Sequence, residues 1–297
     1  MSIFSAHFLA GVDGGGTGCR VVVADPNGTR ISEAPGGPAN FATDPDATLR
    51  NILSALQAAG SNAGLADGWQ GNCISHLGLA GVMDASDAAS VAAAMPFRKT
   101  TVTDDRITSL IGALREDDGI LAAIGTGTIV ASKSGHAVRY FGGWGHDLAD
   151  QASGGWLGHN ALRRTMLAQD GLVEHSGLTA ALLAHFNDAP NEIVQFTKDA
   201  APGDYASFAP LVVEAARQRD PNALTLMQWG ADYLNTCIAT VGLKNGDKLC
   251  LAGGVGPHYE PYIDTGFRKH IHPPAGSALD GALHLAQQHL HSMGEVS

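Results

Sequence analysis

The sequence of 297 residues lacks the features that mark several large classes of protein. Its four cysteines are widely scattered without a C-x-x-C pair, so neither a cysteine-based zinc site nor a disulfide framework is indicated. No stretch approaches the roughly 18 apolar residues of a membrane-spanning helix. Lys and Arg number 18 against 29 Asp and Glu, and the net charge of −11 argues against nucleic acid or an anionic membrane as the main partner.

The N-terminus also lacks a basic region ahead of its apolar run. That run passes directly into a glycine-rich turn, so we expect a strand there rather than a signal peptide, and a cytoplasmic protein. A hydrophobic content of 44% predicts a well-buried globular chain, long enough for two domains. The thirteen histidines show no H-E-x-x-H context, and those of the last helix are interpreted as its exposed face.

What the sequence does have is a cluster of glycines between two predicted strands. Residues 11–17 read Gly-Val-Asp-Gly-Gly-Gly-Thr, and the β-branched run Val21–Val23 follows. A strand-to-strand turn without Lys fits neither a dinucleotide fingerprint nor a Walker loop. Its backbone amides can bind phosphate, and the carboxylate of Asp13 beside a phosphate implies Mg²⁺, held through water. The alternative is a tight hairpin with an N-terminal Asp.

The order of predicted elements indicates a duplicated α/β architecture. Three antiparallel strands, a helix, a strand, a helix, a strand and a helix precede a composition break at Glu116–Gly119, which we interpret as an interdomain hinge. The pattern of strand, Gly/Thr turn, strand, turn and strand then restarts. We therefore predict one domain over residues 1–117 and a second over 118–297, with the last helix able to pack back toward the first.

Three Gly/Thr turns follow predicted strands, at Asp13–Thr17, Gly125–Thr128 and Gly253–Gly254. Packing alone does not readily explain them, and the first two could hold a triphosphate between two lobes. Phosphoryl transfer needs positioning, charge neutralisation and a base for the attacking hydroxyl. Asp104 is the candidate base because it lies where a strand ends and a helix begins. The alternative is that Asp104 only caps that helix, a role that Asp105 could take instead.

Five short motifs occur along the chain in an order that is typical of one protein family. They are Asp13-Gly-Gly-Gly-Thr17, Leu77-Gly-Leu-Ala-Gly81, Thr103-Asp104, Gly125-Thr-Gly127 and Leu251-Ala-Gly-Gly254. Together they resemble the N-acetylglucosamine kinase branch of the sugar kinase/Hsp70/actin superfamily, with its BadF/BadG/BcrA/BcrD-type ATPase domain. The segment Gly142–His146 is closer to N-acetylglucosamine kinases, whereas residues 167–171 are similar to bacterial glucosamine kinases. The resemblance implies two duplicated ribonuclease-H-like (actin-like ATPase) domains, each a mixed five-stranded sheet with flanking helices, and a cleft between them.

The same resemblance implies an ATP- and Mg²⁺-dependent kinase acting on the 6-hydroxyl of N-acetylglucosamine or glucosamine, in amino-sugar catabolism or recycling. Asp13 would hold hydrated Mg²⁺, and Asp104 would be the base. Contacts to the ATP phosphates are implied for Gly15, Gly16, Thr17, Gly125, Thr126 and Gly127, and contacts beneath adenosine for Gly253 and Gly254. Sugar contacts are implied for Asn40, Asp104, Trp144, Gly145, His146 and Asp150. A homodimer is what the resemblance suggests.

The sequence departs from the family pattern at two places. The usual D-x-G-S reads Asp150-Gln-Ala-Ser153, with Ala152 in place of Gly, and Phe41-Ala42 follows Asn40 where an aromatic contact is usual. A second hypothesis is a nucleotide-switched ATPase activator or binding module of the same fold, but the scattered cysteines argue against its bridging iron–sulfur cluster. A filament-forming relative would need insertions that the chain lacks. Whether the 2-substituent of the sugar is an amine or an acetamide stays open.

Overall fold

The computed structural model describes residues 7–294, which form two compact units. The first contains the chain up to Glu116 together with the segment from Pro274 onward, and the second runs from Asp117 to Pro273. The division falls one residue before the boundary predicted from the sequence. The C-terminal segment, which the sequence analysis counted with the second domain, packs in the first unit.

The first unit is built on a five-stranded mixed sheet. Its strands are β1 (Phe8–Gly14), β2 (Cys19–Ala24), β3 (Arg30–Gly36), β4 (Cys73–Leu79) and β5 (Lys99–Thr103), in the order β3-β2-β1-β4-β5. β1 to β3 form the predicted antiparallel meander, while β4 is parallel to both β1 and β5. The carboxyl ends of β1, β4 and β5 therefore lie along one edge of the sheet, the usual place for ligands in such sheets.

Helices cover both faces of this sheet. They are α1 (Pro45–Asn62), α2 (Ala85–Ala94), α3 (Asp105–Leu114) and the C-terminal α11 (Ala278–Gly294), with a short 3₁₀ helix at Trp69–Asn72. Val21 and Val23 pack into one core, and Val22 packs into another with Leu279 and Leu283 of α11. This division follows from the alternation of side chains along a strand. α11 therefore completes the first unit, although it is encoded at the far end of the chain.

The second unit contains a four-stranded sheet within the described residues. Its strands are β6 (Gly119–Ile124), β7 (Thr128–Ser134), β8 (Ala137–Gly142) and β9 (Lys248–Ala252), in the order β8-β7-β6-β9. Five strands were predicted, and the fifth is reduced to one parallel bridge between Leu249 and Ile271. Pro273 and Pro274 follow Ile271 after one intervening residue, and they lack the N–H groups that a longer ladder would need.

Between β8 and β9 the second unit is helical. Its helices are α4 (Gly154–Gln169), α5 (Gly177–His185), α6 (Pro190–Asp199), α7 (Pro202–Ala206), α8 (Ala209–Arg217) and α9 (Pro221–Val241), with a 3₁₀ helix at Gly256–Tyr262 and α10 (Thr265–Arg268) after β9. The sequence predicts helices near 156–167, 179–186, 192–198, 208–217 and 222–241, within a few residues of the five longer ones, and none at the short α7 and α10. No helix in residues 7–294 is long and apolar enough to cross a membrane.

Candidate functional site

The glycine loop of the first unit joins β1 to β2 at the carboxyl edge of the sheet. The Gly15 amide donates to the Gly18 carbonyl at 2.9 Å, and the Ala39 amide donates to the Gly15 carbonyl at 2.8 Å. These bonds fix the loop backbone while Gly16 and Thr17 remain exposed. The loop therefore presents an ordered, open stretch of main chain.

Packing requires glycine at position 11 but not at position 16. A Cβ at Gly11 would lie 2.7 Å from the backbone nitrogen of Leu283, so packing requires glycine there. A Cβ at Gly16 would meet nothing within 4 Å, and its φ angle is not in the left-handed region. Neither space nor backbone conformation within the chain explains Gly16. Open space over bare backbone is what the approach of a ligand requires.

Asp13 is the next-to-last residue of β1 and pairs with Arg20 directly across the hairpin. The Arg20 guanidinium donates to the Asp13 carboxylate at 2.8 Å. The side chain of Asp13 is 21% exposed. Asp13 thus lies beside the glycine loop, and its charge is partly balanced by a neighbour.

Two further carboxylates follow β5 on the same edge. Asp104 caps α3, because its Oδ1 accepts from the Arg106 amide at 2.9 Å, and the Arg106 guanidinium holds both of its oxygens at 3.0 Å. The structure therefore gives Asp104 the capping role considered in the sequence analysis. Asp105 is half-buried, and the pKa of its carboxyl is raised by burial and by the charges of Asp104 and Asp13.

Asn40 joins the same edge beyond β4. It forms a parallel bridge with Ala80, and its Oδ1 accepts from the Ala42 amide at 3.1 Å. Gly81 has a φ of 80°, and a Cβ there would collide with Asn40 Oδ1. The first unit thus brings together Asp13, the glycine loop, Asn40 and the two aspartates after β5.

The second unit carries the second predicted glycine turn, between β6 and β7. The Gly125 amide donates to the Gly127 carbonyl at 2.9 Å, while the Gly125 and Thr126 carbonyls accept from Gly154 and Gly155 at 2.7 and 3.1 Å. The turn is therefore held against the start of α4. A Cβ at Gly125 would meet nothing within 4 Å. This turn is open in the same sense as Gly16.

Asp150 supports the turn from below. Its carboxylate accepts from the Thr128 amide at 3.1 Å, and a Cβ at Gly127 would lie 3.0 Å from it. Asp150 and Ala152 both have left-handed φ angles, 64° and 71°. The departure from the family's Gly at position 152 therefore places a non-glycine residue where glycine is favoured, and strain of this kind is concentrated at functional sites.

His146 lies in an aromatic cluster near α4. Its ring is 5.5 Å from that of Tyr205 and 5.6 Å from that of His159, and both of its ring nitrogens are buried without a hydrogen-bond partner. A buried polar atom without a partner is uncommon and calls for a ligand or water. Trp144, predicted beside it, is 77% exposed and lines a different groove with Leu148. The structure does not bring Trp144 to the His146 cluster.

The third predicted turn follows β9. Gly253 has a φ of 82°, and a Cβ there would collide with the Ile124 carbonyl. A cavity of about 560 Å³ adjoins this turn. It is lined by Gly125, Thr126, Gly154, Ala206, Ala209, Pro210, Val213, Glu214, Arg217, Gly254, Val255 and His258. The second and third predicted turns therefore border one cavity in the second unit.

The sequence did not predict a buried histidine network. His76 on β4 bonds to the Thr101 and Thr103 hydroxyls at 2.9 and 3.1 Å, and its ring stacks on His289 at 5.8 Å. The interpretation of the last helix's histidines as an exposed face was wrong for His284 and His289, which are half-buried, while His291 is exposed. Only the pairing of β4 with β5 and the return of α11 bring these residues together.

Comparison with known proteins shows which family and which relatives this chain resembles. A model of the BadF/BadG/BcrA/BcrD ATPase family matches residues 10–270. Glucosamine kinase GspK of Vibrio cholerae is 28% identical over 289 residues, which cover 97% of this chain and 98% of that protein. The crystal structure of a candidate N-acetylglucosamine kinase from Chromobacterium violaceum, 34% identical, superposes with a TM-score of 0.85 over 96% of this chain and 100% of that one.

A more distant structure shows how widely the fold is shared. A glucokinase of the ROK family from Streptomyces griseus, solved with glucose and AMPPNP, has a TM-score of 0.56 at 17% identity, over 95% of this chain and 98% of that chain. The two mixed sheets and their flanking helices give the chain the fold of the sugar kinase and actin-like class. Within that class, the chain belongs to the BadF/BadG/BcrA/BcrD ATPase family.

Proposed function

We propose that the protein is an ATP-dependent kinase that transfers phosphate to the 6-hydroxyl of N-acetylglucosamine or glucosamine, in amino-sugar catabolism or recycling. The observation that carries the proposal is the carboxyl edge of the first sheet. There an open glycine loop lies beside Asp13 and the aspartates after β5. The two relatives with kinase names, which match nearly the whole chain, support this reaction.

The open turns of each unit support the proposal of nucleotide binding. We propose that Gly15, Gly16, Thr17, Gly125, Thr126 and Gly127 bind the ATP phosphates through backbone amides and hydroxyls. Gly253 and Gly254 would lie beneath adenosine, next to the cavity of about 560 Å³ that Gly254 lines. That volume is within the range that small-molecule sites usually have.

The residues present also fit Mg²⁺. This cation is usually held by one or two carboxylates, substrate phosphates and several waters, so it does not need a dedicated cluster of protein ligands. Asp13 beside the glycine loop supplies such a carboxylate, and it would hold the ion through water. When bound, the metal neutralises charge on the transferred phosphate. To hold the hydrated ion, Asp13 would have to give up part of its contact with Arg20.

For the sugar, we propose contacts from Asn40, Gly145, His146 and Asp150, and we leave out Trp144 because it lines a different groove. Asn40 uses its oxygen within its own turn, which leaves its amide nitrogen to donate. The unpaired nitrogens of His146 offer one donor and one acceptor when the ring is neutral. We also propose that Asp104, at the junction of β5 and α3, takes the proton of the attacking hydroxyl.

A nucleotide-switched activator is the second candidate, and the cysteines disfavour it. All four are buried, and burial raises the pKa of the Cys19 and Cys250 thiols to about 11. An iron–sulfur cluster bridging two subunits needs exposed thiolates close together. The kinase is therefore the better proposal.

The test is turnover of ATP with Mg²⁺ across glucosamine, N-acetylglucosamine, N-acetylmannosamine and glucose, measured as ADP release. We expect turnover with one or both of the first two sugars and none with their 6-deoxy analogues. Phosphate on carbon 6 of the product, located by NMR, would complete the assignment. Inactivity with every sugar would favour the activator, and activity with the 6-deoxy analogues would contradict the 6-hydroxyl.

A further inference from the structure

A second cavity of the second unit lies beside the one proposed for nucleotide. Its volume is about 610 Å³, and it shares Val213, Arg217 and His258 with the cavity of about 560 Å³. The glycines of the three predicted turns do not line it, so the motifs that indicate a kinase leave it unexplained. We propose that this second cavity, which we call the arginine cavity, binds a phosphate monoester that carries an apolar group, separately from the nucleotide.

Three arginines from different elements line the arginine cavity. Arg217 ends α8, Arg219 lies between α8 and α9, and Arg268 ends α10. Among the described residues of the lining, Glu260 alone is acidic. The whole chain carries 18 Lys and Arg against 29 Asp and Glu, so this local excess of positive charge runs against its composition. Such an excess attracts anions, and guanidinium groups bind phosphate in a bidentate manner.

Two of these arginines are not neutralised by carboxylates. In residues 7–294 neither Arg219 nor Arg268 forms an ion pair. Arg268 donates from Nε and Nη2 to the carbonyls of Ile263 and Pro261, both at 2.6 Å, which fixes its guanidinium and leaves Nη1 able to donate. Arg219 has a left-handed φ of 63°, a conformation that is uncommon for residues other than glycine and is concentrated at functional sites.

The rest of the lining includes a buried apolar surface. Val213, Ala216 and Met227 are buried, and Leu224 and Tyr262 are half-buried. A bare phosphate ion would gain nothing from these side chains, whereas an apolar or aromatic group attached to the phosphate would be removed from water against them. The lining therefore indicates an organic phosphate as the ligand.

His258 lies on the wall that the two cavities share, and it can report binding. Nη2 of Arg217 donates to its Nδ1 at 3.2 Å. Burial, and then the charge of Arg217, lowers the pKa of His258. An anion bound beside Arg217 would offset that charge and raise the pKa of His258 again. This readout needs no turnover, so it does not depend on the proposed kinase activity.

The test is a titration of the full chain with phenyl phosphate, followed by NMR of ¹⁵N-labelled histidines. The His258 signal is assigned by its loss in His258→Gln. We expect saturable binding and an upward shift in the pKa of His258. The Kd for inorganic phosphate should be at least about tenfold weaker, because that ion buries no apolar surface. Binding of phenyl phosphate should persist when a non-hydrolysable ATP analogue is bound.

Arg219→Gln is the informative variant, because Arg219 does not line the nucleotide cavity. Loss of a charge-assisted contact should weaken its Kd for phenyl phosphate at least about tenfold, with the Tm unchanged. Arg219→Lys keeps the charge without the planar fork and should fall between the two. Arg50→Gln, at an exposed position of α1, removes the same charge elsewhere and should bind like the wild type.

Three results would overturn the proposal. The Kd of Arg219→Gln could equal that of the wild type, or Arg50→Gln could lose as much affinity as Arg219→Gln. Complete displacement of phenyl phosphate by the ATP analogue would show instead that the arginine cavity is part of the nucleotide site. An enzyme that turns over no amino sugar but still binds phenyl phosphate through Arg219 would contradict the proposed function and support this site.

Discussion

At the scale of single residues, the glycines fall into two groups, those that packing requires and those that are left open for a ligand. Gly16→Ala adds a methyl group that no protein atom meets and that the backbone tolerates. We therefore expect its Tm to match the wild type, while KM for ATP rises at least tenfold because the methyl occupies the space that a phosphate would take. Thermal unfolding and initial rates against ATP concentration measure both.

The matched variant is Gly11→Ala, on the strand that precedes this loop. Its methyl would press on the Leu283 backbone of α11, and overpacking of this kind typically costs about 1–3 kcal/mol. Its Tm should fall while KM for ATP in the folded protein stays unchanged. Equal KM values for Gly16→Ala and the wild type would show that the loop does not approach the nucleotide.

At the scale of elements, His76 ties β4 to β5 and to α11. Burial, and then the proximity of His289, lowers the pKa of His76 from its ordinary 6.5 to about 3. Between these values the unfolded chain binds a proton that the folded one refuses, so stability falls as pH falls. We expect the free energy of unfolding to drop by about 1.4 kcal/mol from this residue between about pH 7.5 and 5.5.

Urea titrations of the wild type and of His76→Gln at both pH values test this, since Gln can still bond to the threonine hydroxyls but cannot be protonated. The difference between the two pH dependences isolates His76 from the carboxylates that titrate in both proteins. Parallel dependences would mean that folding does not change the pKa of His76.

How far the elements could be predicted from the sequence depended on how local their causes are. The meander of β1 to β3 and the long helices follow from periodicity and caps, such as Asp44 bonding to the Ala47 amide before Pro45. The reduced fifth strand of the second sheet could not be predicted, because it depends on the pairing of Ile271 with Leu249, which are far apart in the chain. The pairing of Asp104 with Arg106 depends on where the Arg106 side chain turns, which no spacing encodes.

At the scale of the whole molecule, the first unit is assembled from both ends of the chain. Leu279, Leu283 and Ala286 of α11 are buried in one core with Leu9, Val22, Ala24 and Ile74. Burying one leucine side chain contributes about 1.5–3 kcal/mol, and whole domains are stable by only about 5–15 kcal/mol. The second unit has its own core, and none of the described residues of α11 belongs to it.

Deletion of residues 278–297 should therefore unfold the first unit and leave the second protected. Hydrogen exchange followed by mass spectrometry should show loss of protection in β1, β2 and β4, with β6, β7 and β9 retained. His291→Ala, at an exposed position of the same helix, should leave both patterns unchanged. Retained protection of β1 and β4 in the deletion variant would show that the first unit folds without its C-terminal helix. Loss of protection in both units would show that they unfold as one.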